Sequence, residues 1–204
     1  MQAMRTLDFL DGTTFTVSRD TCRGCFMNDH DHELPPILVP VLDDGIITVR
    51  QDAEWAVPGF MIVGIRPHLG SIGQMPLDLA HRLTTVMHVL RQAMDEFPDI
   101  CAVQTYQEEK LDRPHYHTWM LPLWKSTMDR HTINPRIYES SIARYLELFE
   151  FPHHREAIHD CAARIQDFLR GSDLLRRQGF LPRTPPVASR PGSHHLGGEP
   201  IPCV

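Results

Sequence analysis

No stretch of this 204-residue chain is apolar for long enough to span a membrane. The opening Met1-Gln2-Ala3-Met4-Arg5-Thr6 lacks the hydrophobic region of a secretion signal, so the expected compartment is the cytosol. Positive charge is scarce: 20 Lys and Arg stand against 26 Asp and Glu, a net charge of −6. That balance argues against a broad nucleic-acid surface but leaves room for a local anion pocket. No internal repeat is visible, so no repeat architecture is expected. Cysteine is limited to five residues, which in a reducing compartment read as metal ligands or buried thiols and not as disulfides. Histidine, by contrast, is plentiful. Eight of its 13 residues cluster at 30–32, 115–117, 153–154 and 194–195. The length fits one domain with extensions around a sizeable core.

The chain is organised around Arg113-Pro114-His115-Tyr116-His117-Thr118-Trp119-Met120-Leu121-Pro122. On a strand, side chains two apart share a face, so His115 and His117 are expected side by side, with Tyr116 and Thr118 turned away. The strand is expected to stop at Pro122. Imidazole serves near neutral pH as nucleophile, proton carrier or metal ligand. The plain alternative is a polar face on a half-exposed sheet.

Residues 4–18 alternate loosely around Asp11-Gly12, which predicts a hairpin. Cys22-Arg23-Gly24-Cys25 follows, expected in a turn. A C-x₂-C turn lets two thiolates approach one tetrahedral metal, with Gly24 relieving crowding. Alone it is half a zinc site, a redox pair, or two incidental thiols. The polar run 28–36, with His30, Asp31 and His32, reads as a solvated loop, with metal binding as the alternative. Strands are expected at Ile37-Leu38-Val39, at 46–49 after the Asp43-Asp44-Gly45 turn, and at Phe60–Ile65, an apolar run suited to the centre of a sheet. His68 ends that run, where sites are often built. Residues 76–97 show helix periodicity through Leu79, Leu83, Val86, Leu90, Ala93 and Phe97, with His81 and His88 on the polar side. A strand at 100–106 and a charged loop from Gln107 to Arg113 lead into the histidine strand as an antiparallel hairpin. Beyond it, 126–135 reads as loop, 138–150, 153–170 and 172–178 as helices, and the Pro/Gly-rich residues from 181 as a tail without a fixed fold.

This order of parts resembles the histidine triad (HIT) superfamily. Trp55-Ala56-Val57-Pro58-Gly59-Phe60-Met61-Ile62-Val63 with Arg66-Pro67-His68 looks like the family's central strand. Met75-Pro76-Leu77 opens the expected helix, and His115-x-His117-x-Trp119-x-Leu121-Pro122 looks like the triad strand. The resemblance covers residues 20–124, about half the chain. It implies an α+β fold, an antiparallel sheet with one long helix in residues 1–124. A helical extension (125–180) and a tail (181–204) would follow it. In zinc-containing members, including the galactose-1-phosphate uridylyltransferase branch, the metal is held by positions that correspond here to Cys22, Cys25, His68 and His115. Such a Cys₂His₂ set is closed and tetrahedral, which implies a structural Zn²⁺.

The family's middle triad histidine attacks the α-phosphorus of a nucleotide, and by similarity that residue is His117. Neutral imidazole with its other N–H held is what the attack needs. Donors near the loop, Gln104, Gln107, Lys110 and Arg113, are the expected phosphate contacts. That loop is charged where family members are often small and Gly-rich. The main departure is Trp119, where the family has a third histidine or, in the transferase branch, glutamine. Indole offers one donor, no acceptor and more bulk, so Trp119 either stacks on a substrate or alters the pocket. Three functions follow: a zinc-containing nucleotide hydrolase or nucleotidyltransferase, a non-catalytic nucleotide-binding module, and a scaffold diverged to another reaction in specialised metabolism with His117 as base. The implied ligand is a nucleotide or other small molecule, and the resemblance implies a homodimer.

Overall fold

The computed structural model describes residues 3–133 and 139–180, without the side chains of 139–141. The tail from residue 181, with His194, His195 and Cys203, lies outside the described residues.

A two-stranded hairpin, β1 (Met4–Asp8) with β2 (Thr14–Ser18), precedes a helix, α1 (Arg23–Asp29). A five-stranded antiparallel sheet follows, built from β3 (Leu42–Asp43), β4 (Ile47–Gln51), β5 (Met61–Ile65), β6 (Ile100–Tyr106) and β7 (His117–Trp124). Its strand order is β3-β4-β5-β7-β6, so the apolar run ending at Ile65 is central, as its composition implies. The long helix α2 (Leu77–Asp95) separates β5 from β6. After β7 come α3 (Lys125–His131), α4 (Glu139–Leu146), α5 (Phe151–Gly171) and α6 (Asp173–Arg177). No described helix is long and apolar enough to cross a membrane.

The sheet's two faces divide the labour. Ile47, Val49, Met61, Val63, Ile65 and Met120 form one buried cluster with α2 residues Leu79, Leu83, Val86, Leu90 and Ala93 and with Phe97 just past the helix end. Each such side chain contributes about 1.5–3 kcal/mol of burial. Cys161, Ala162, Ile165 and Leu169 of α5 join the same cluster. His81 and His88 are exposed on the far side of α2. The opposite sheet face, Thr48 and Arg50 of β4 with His117, Trp119 and Leu121 of β7, lines a cleft.

Four local expectations are corrected. The Cys pair does not sit in a turn: Cys22 caps α1 and Cys25 lies in its first turn. Ile37-Leu38-Val39 is not a strand, because Pro36–Leu38 winds into one 3₁₀ turn with Pro in its first positions. β7 does not stop at Pro122. Its pairing with β5 ends at Met120, so the missing N–H of Pro122 faces no partner strand, while β6 pairs on as far as Trp124. Residues 126–131 are helical as part of α3, where the Asp99 carboxylate accepts from the Ser126 backbone and hydroxyl.

Candidate metal centre and adjoining cleft

The sulfurs of Cys22 and Cys25 and ring nitrogens of His68 and His115 lie within 4.8 Å of one another. Cys22 Sγ is 3.4 Å from His115 Nδ1. Cys25 Sγ is 3.1 Å from His68 Nδ1 and 3.5 Å from His115 Nδ1. In a tetrahedron with ordinary zinc–sulfur and zinc–nitrogen bonds the S···N edge is about 3.5 Å, so this set fits a zinc ion.

The surroundings preorganise it. His115 Nε2 donates to the Ile65 carbonyl at 2.8 Å, which fixes the tautomer and leaves Nδ1 for a metal. The same carbonyl accepts from Asn28 Nδ2 at 3.0 Å, tying α1 to the end of β5. Tyr116 N donates to the Leu69 carbonyl, so the lead-in to β7 runs beside the segment carrying His68. Gly24 is required by contact: a Cβ there would stand 2.6 Å from His115 Cγ. Burial pushes the Cys22 thiol up, but the hydrogen bond with His115 and neighbouring donors outweigh it and bring it down to about 6. Burial and the adjacent Cys22 thiolate push Cys25 up to about 11. Two sulfurs this close repel once ionised, a repulsion a divalent cation removes. The pair opens a helix, as redox pairs do, yet both sulfurs face imidazoles.

His115 precedes β7 and turns to the sulfurs. His117 is the first residue of β7, paired with Gly64, and turns to the cleft. His117 Nδ1 donates to the His115 carbonyl at 2.8 Å, which leaves Nε2 with the lone pair. Burial holds the imidazole below its ordinary range, with the charge of Lys110 acting in the same direction. The cleft measures about 410 Å³, within the range of small-molecule sites (~300–1,000 Å³).

Lys110, Arg113 and Trp119 line this cleft with His117; Gln104 and Gln107 are not among its lining residues. Gln104 accepts from the Tyr106 hydroxyl, and Gln107 lies exposed beyond the end of β6. Tyr106 and Glu108 line the cleft from that side. Lys110 Nζ stands 5.9 Å from the centre of the Trp119 ring. Arg113 is held at positive φ and pairs with Asp20 and Asp112. Trp119 meets His117 edge-on, ring centres 4.2 Å apart, and its Nε1 donates to Asp52 Oδ2 at 3.1 Å.

Asp52 and Arg50 are the residues the sequence reading missed. The signal was the alternation Thr48, Arg50, Asp52 against Ile47, Val49, Gln51, which continues the strand at 46–49 with a polar face. Burial pushes the Asp52 carboxyl up to about 6, although it accepts from the Glu54 and Trp55 backbone as well as from Trp119. From the C-terminal half, Ile142 and Leu146 of α4 line the cleft. Tyr145 pins α4 to β7, donating to the Pro122 carbonyl and accepting from Trp124 N, both at 2.9 Å. The loop histidines make no metal group among the described residues: His30 meets Glu33, and Asp31 meets Arg66.

The fold has counterparts among solved structures. A Zn-bound histidine triad family protein from Mycobacterium smegmatis superposes with a TM-score of 0.52 at 14% identity, covering 74% of this chain and 98% of its own. A HIT-like protein involved in cell-cycle regulation from Bartonella henselae superposes with a TM-score of 0.50 at 14% identity, covering 73% and 98%. The chain has the histidine triad fold. Comparison of the sequence with models of known families and with curated proteins gives no match. At this identity the HIT likeness concerns the fold alone, and what the site does is argued from its own residues.

Proposed function

We propose that this HIT-fold protein is a nucleotide hydrolase or nucleotidyltransferase in which His117 is the nucleophile. The observation that carries the reading is the bond from His117 Nδ1 to the His115 carbonyl. It fixes the tautomer, and burial favours the neutral ring, so Nε2 offers a lone pair to a ligand in the cleft. Nε2 attacks the α-phosphorus of a bound nucleotide. An N–P bond forms, the P–O bond to the leaving group breaks, and the leaving group departs with that electron pair, taking a proton from solvent. Water or an acceptor hydroxyl then attacks the same phosphorus and releases its proton to solvent, the N–P bond breaks, and its electron pair returns to Nε2. Lys110, on the cleft wall, stabilises charge on the phosphoryl oxygens.

Cys22, Cys25, His68 and His115 would hold a structural Zn²⁺, and four protein ligands would make it a cross-link and not a substrate-binding metal. His115 therefore stays out of the chemistry and acts through its carbonyl, which orients His117. Trp119 cannot replace a third histidine, because its single N–H is committed to Asp52. Its edge-on contact with His117 favours a second reading, a different reaction in which His117 serves as acid or base.

Incubation with nucleotides labelled at the α-phosphate, followed by rapid denaturation, tests this directly. Acid-labile label on His117 is expected in the wild type and none in His117→Ala, with nucleotide binding retained. Turnover of a substrate without any phosphate, and no label on His117, would establish the second reading instead.

A further inference from the structure

The cleft holds four cations from the described residues, and they differ in company. Arg23 pairs with Glu54, Lys110 with Glu108, and Arg113 with Asp20 and Asp112. All of these lie toward solvent. Arg50 lies on the sheet face and is 3% exposed. Its guanidinium donates to the Met27 carbonyl at 3.1 Å and to Asn28 Oδ1 at 3.2 Å, both neutral. Its neighbour Arg66 takes the nearby carboxylates, Asp43 and Asp31. Among the described residues no carboxylate forms an ion pair with Arg50. Burial and the charge of Arg66 lower its pKa to about 10 against the longer-range attraction of Asp31 and Asp43, which still leaves it a cation at neutral pH. A buried cation with no carboxylate in direct contact is incompletely compensated, and a bound anion supplies that contact. Two of its five N–H groups are used, and a guanidinium fork matches an oxyanion.

Register fixes where this cation stands relative to the nucleophile. Arg50 pairs with Ile62, and Ile62 with Trp119, two residues beyond His117 on β7. β4 and β7 lie two strand spacings apart, about 10 Å. Between them Ile62 and Gly64 offer a low apolar floor.

We propose that Arg50 binds a second oxyanion of the substrate, a carboxylate or a phosphate, from a strand whose backbone lies about 10 Å from the one carrying His117. The substrate is then anionic at both ends, and Arg50 selects against nucleotides whose far end is a neutral base. This rests on the phosphoryl-transfer reading for the group at His117, but its test does not.

The test measures binding by the full-length, zinc-loaded protein of three six-carbon alkyl phosphates ending in a carboxylate, a phosphate or a neutral carboxamide. At least one anionic end is expected to bind roughly tenfold more tightly than the carboxamide, and the tighter of the two names the group. The advantage should survive about 0.5 M salt, because a buried pair is weakly screened. In Arg50→Gln it should fall below about twofold with carboxamide affinity retained. Equal binding of all three ends by the wild type overturns the proposal, as does an advantage that survives in Arg50→Gln or collapses in salt. Should Arg50→Gln not fold, the wild-type series and its salt dependence still decide. Label on His117 without an anion preference overturns this inference alone. The preference without label overturns the phosphoryl-transfer reading alone.

Discussion

His115 and His117 stand two residues apart and answer to different surroundings. His115 precedes β7, where the backbone bonds to the Leu69 segment, and its ring is held from both sides: Nε2 on the Ile65 carbonyl, Nδ1 against two sulfurs. His117 lies within the strand, and only Nδ1 is held. The first corner brings two sulfurs and two imidazoles together, whereas the cleft beside it keeps one imidazole nitrogen and one buried guanidinium without a saturating partner. Two imidazoles two residues apart thus take different partners because the pairing of β7 with β5 begins between them, at His117.

Breaking the closed corner should have the largest effect. Cys25→Ser, or chelation of the wild type, is expected to remove zinc and cost roughly 4 kcal/mol, about 8–16 °C in Tm. Metal analysis with thermal unfolding checks this. Full zinc content and an unchanged Tm in Cys25→Ser would show that the corner is no metal centre.

A gentler change sharpens the contrast. Gly24→Ala places a methyl 2.6 Å from the His115 ring, and overpacking of this kind costs roughly 1–3 kcal/mol. The ring must shift, so zinc affinity should fall while all four ligands remain. Zinc competition titration reads the effect, and wild-type affinity would place Gly24 outside the centre.

The smallest effect is expected inside the cleft. Asp52 has a folded-state pKa raised from 3.8 to about 6. Its contribution to stability is therefore fully present below pH 3.8 and is lost as pH rises through about 6. Asp52→Asn should abolish that slope while changing stability at pH 7 by only about 1 kcal/mol, since relief of the buried charge offsets the weakened bond to Trp119. Denaturant unfolding across pH 4–7 measures it. An unchanged slope would assign the titration to another group.

Much of the fold was legible because periodicity reports burial directly. The residues spaced three and four apart from Leu79 to Ala93 lie on the buried face of α2, and Phe97 is buried just beyond its end. The four-ligand set was legible only through resemblance, since C-x₂-C by itself names neither partner. Pro122 and the Ile37 run were misread for one reason: local chemistry argues for a break or a strand, whereas pairing on each side of a strand is set by its neighbours. Gln104 and Gln107 were placed by sequence proximity, yet lining a cleft depends on where a strand ends and how its side chains alternate.

The chain alone settled which residues alternate, which recur along a helix, and that two thiols and a histidine pair stand ready for chemistry, because those properties are local. Only the folded arrangement decided that Trp119 spends its N–H on Asp52, that α4 walls the cleft, and that Arg50 is buried with no carboxylate in ion-pair contact. Each depends on groups distant in sequence meeting across the sheet, where burial and charge are set by what packs alongside.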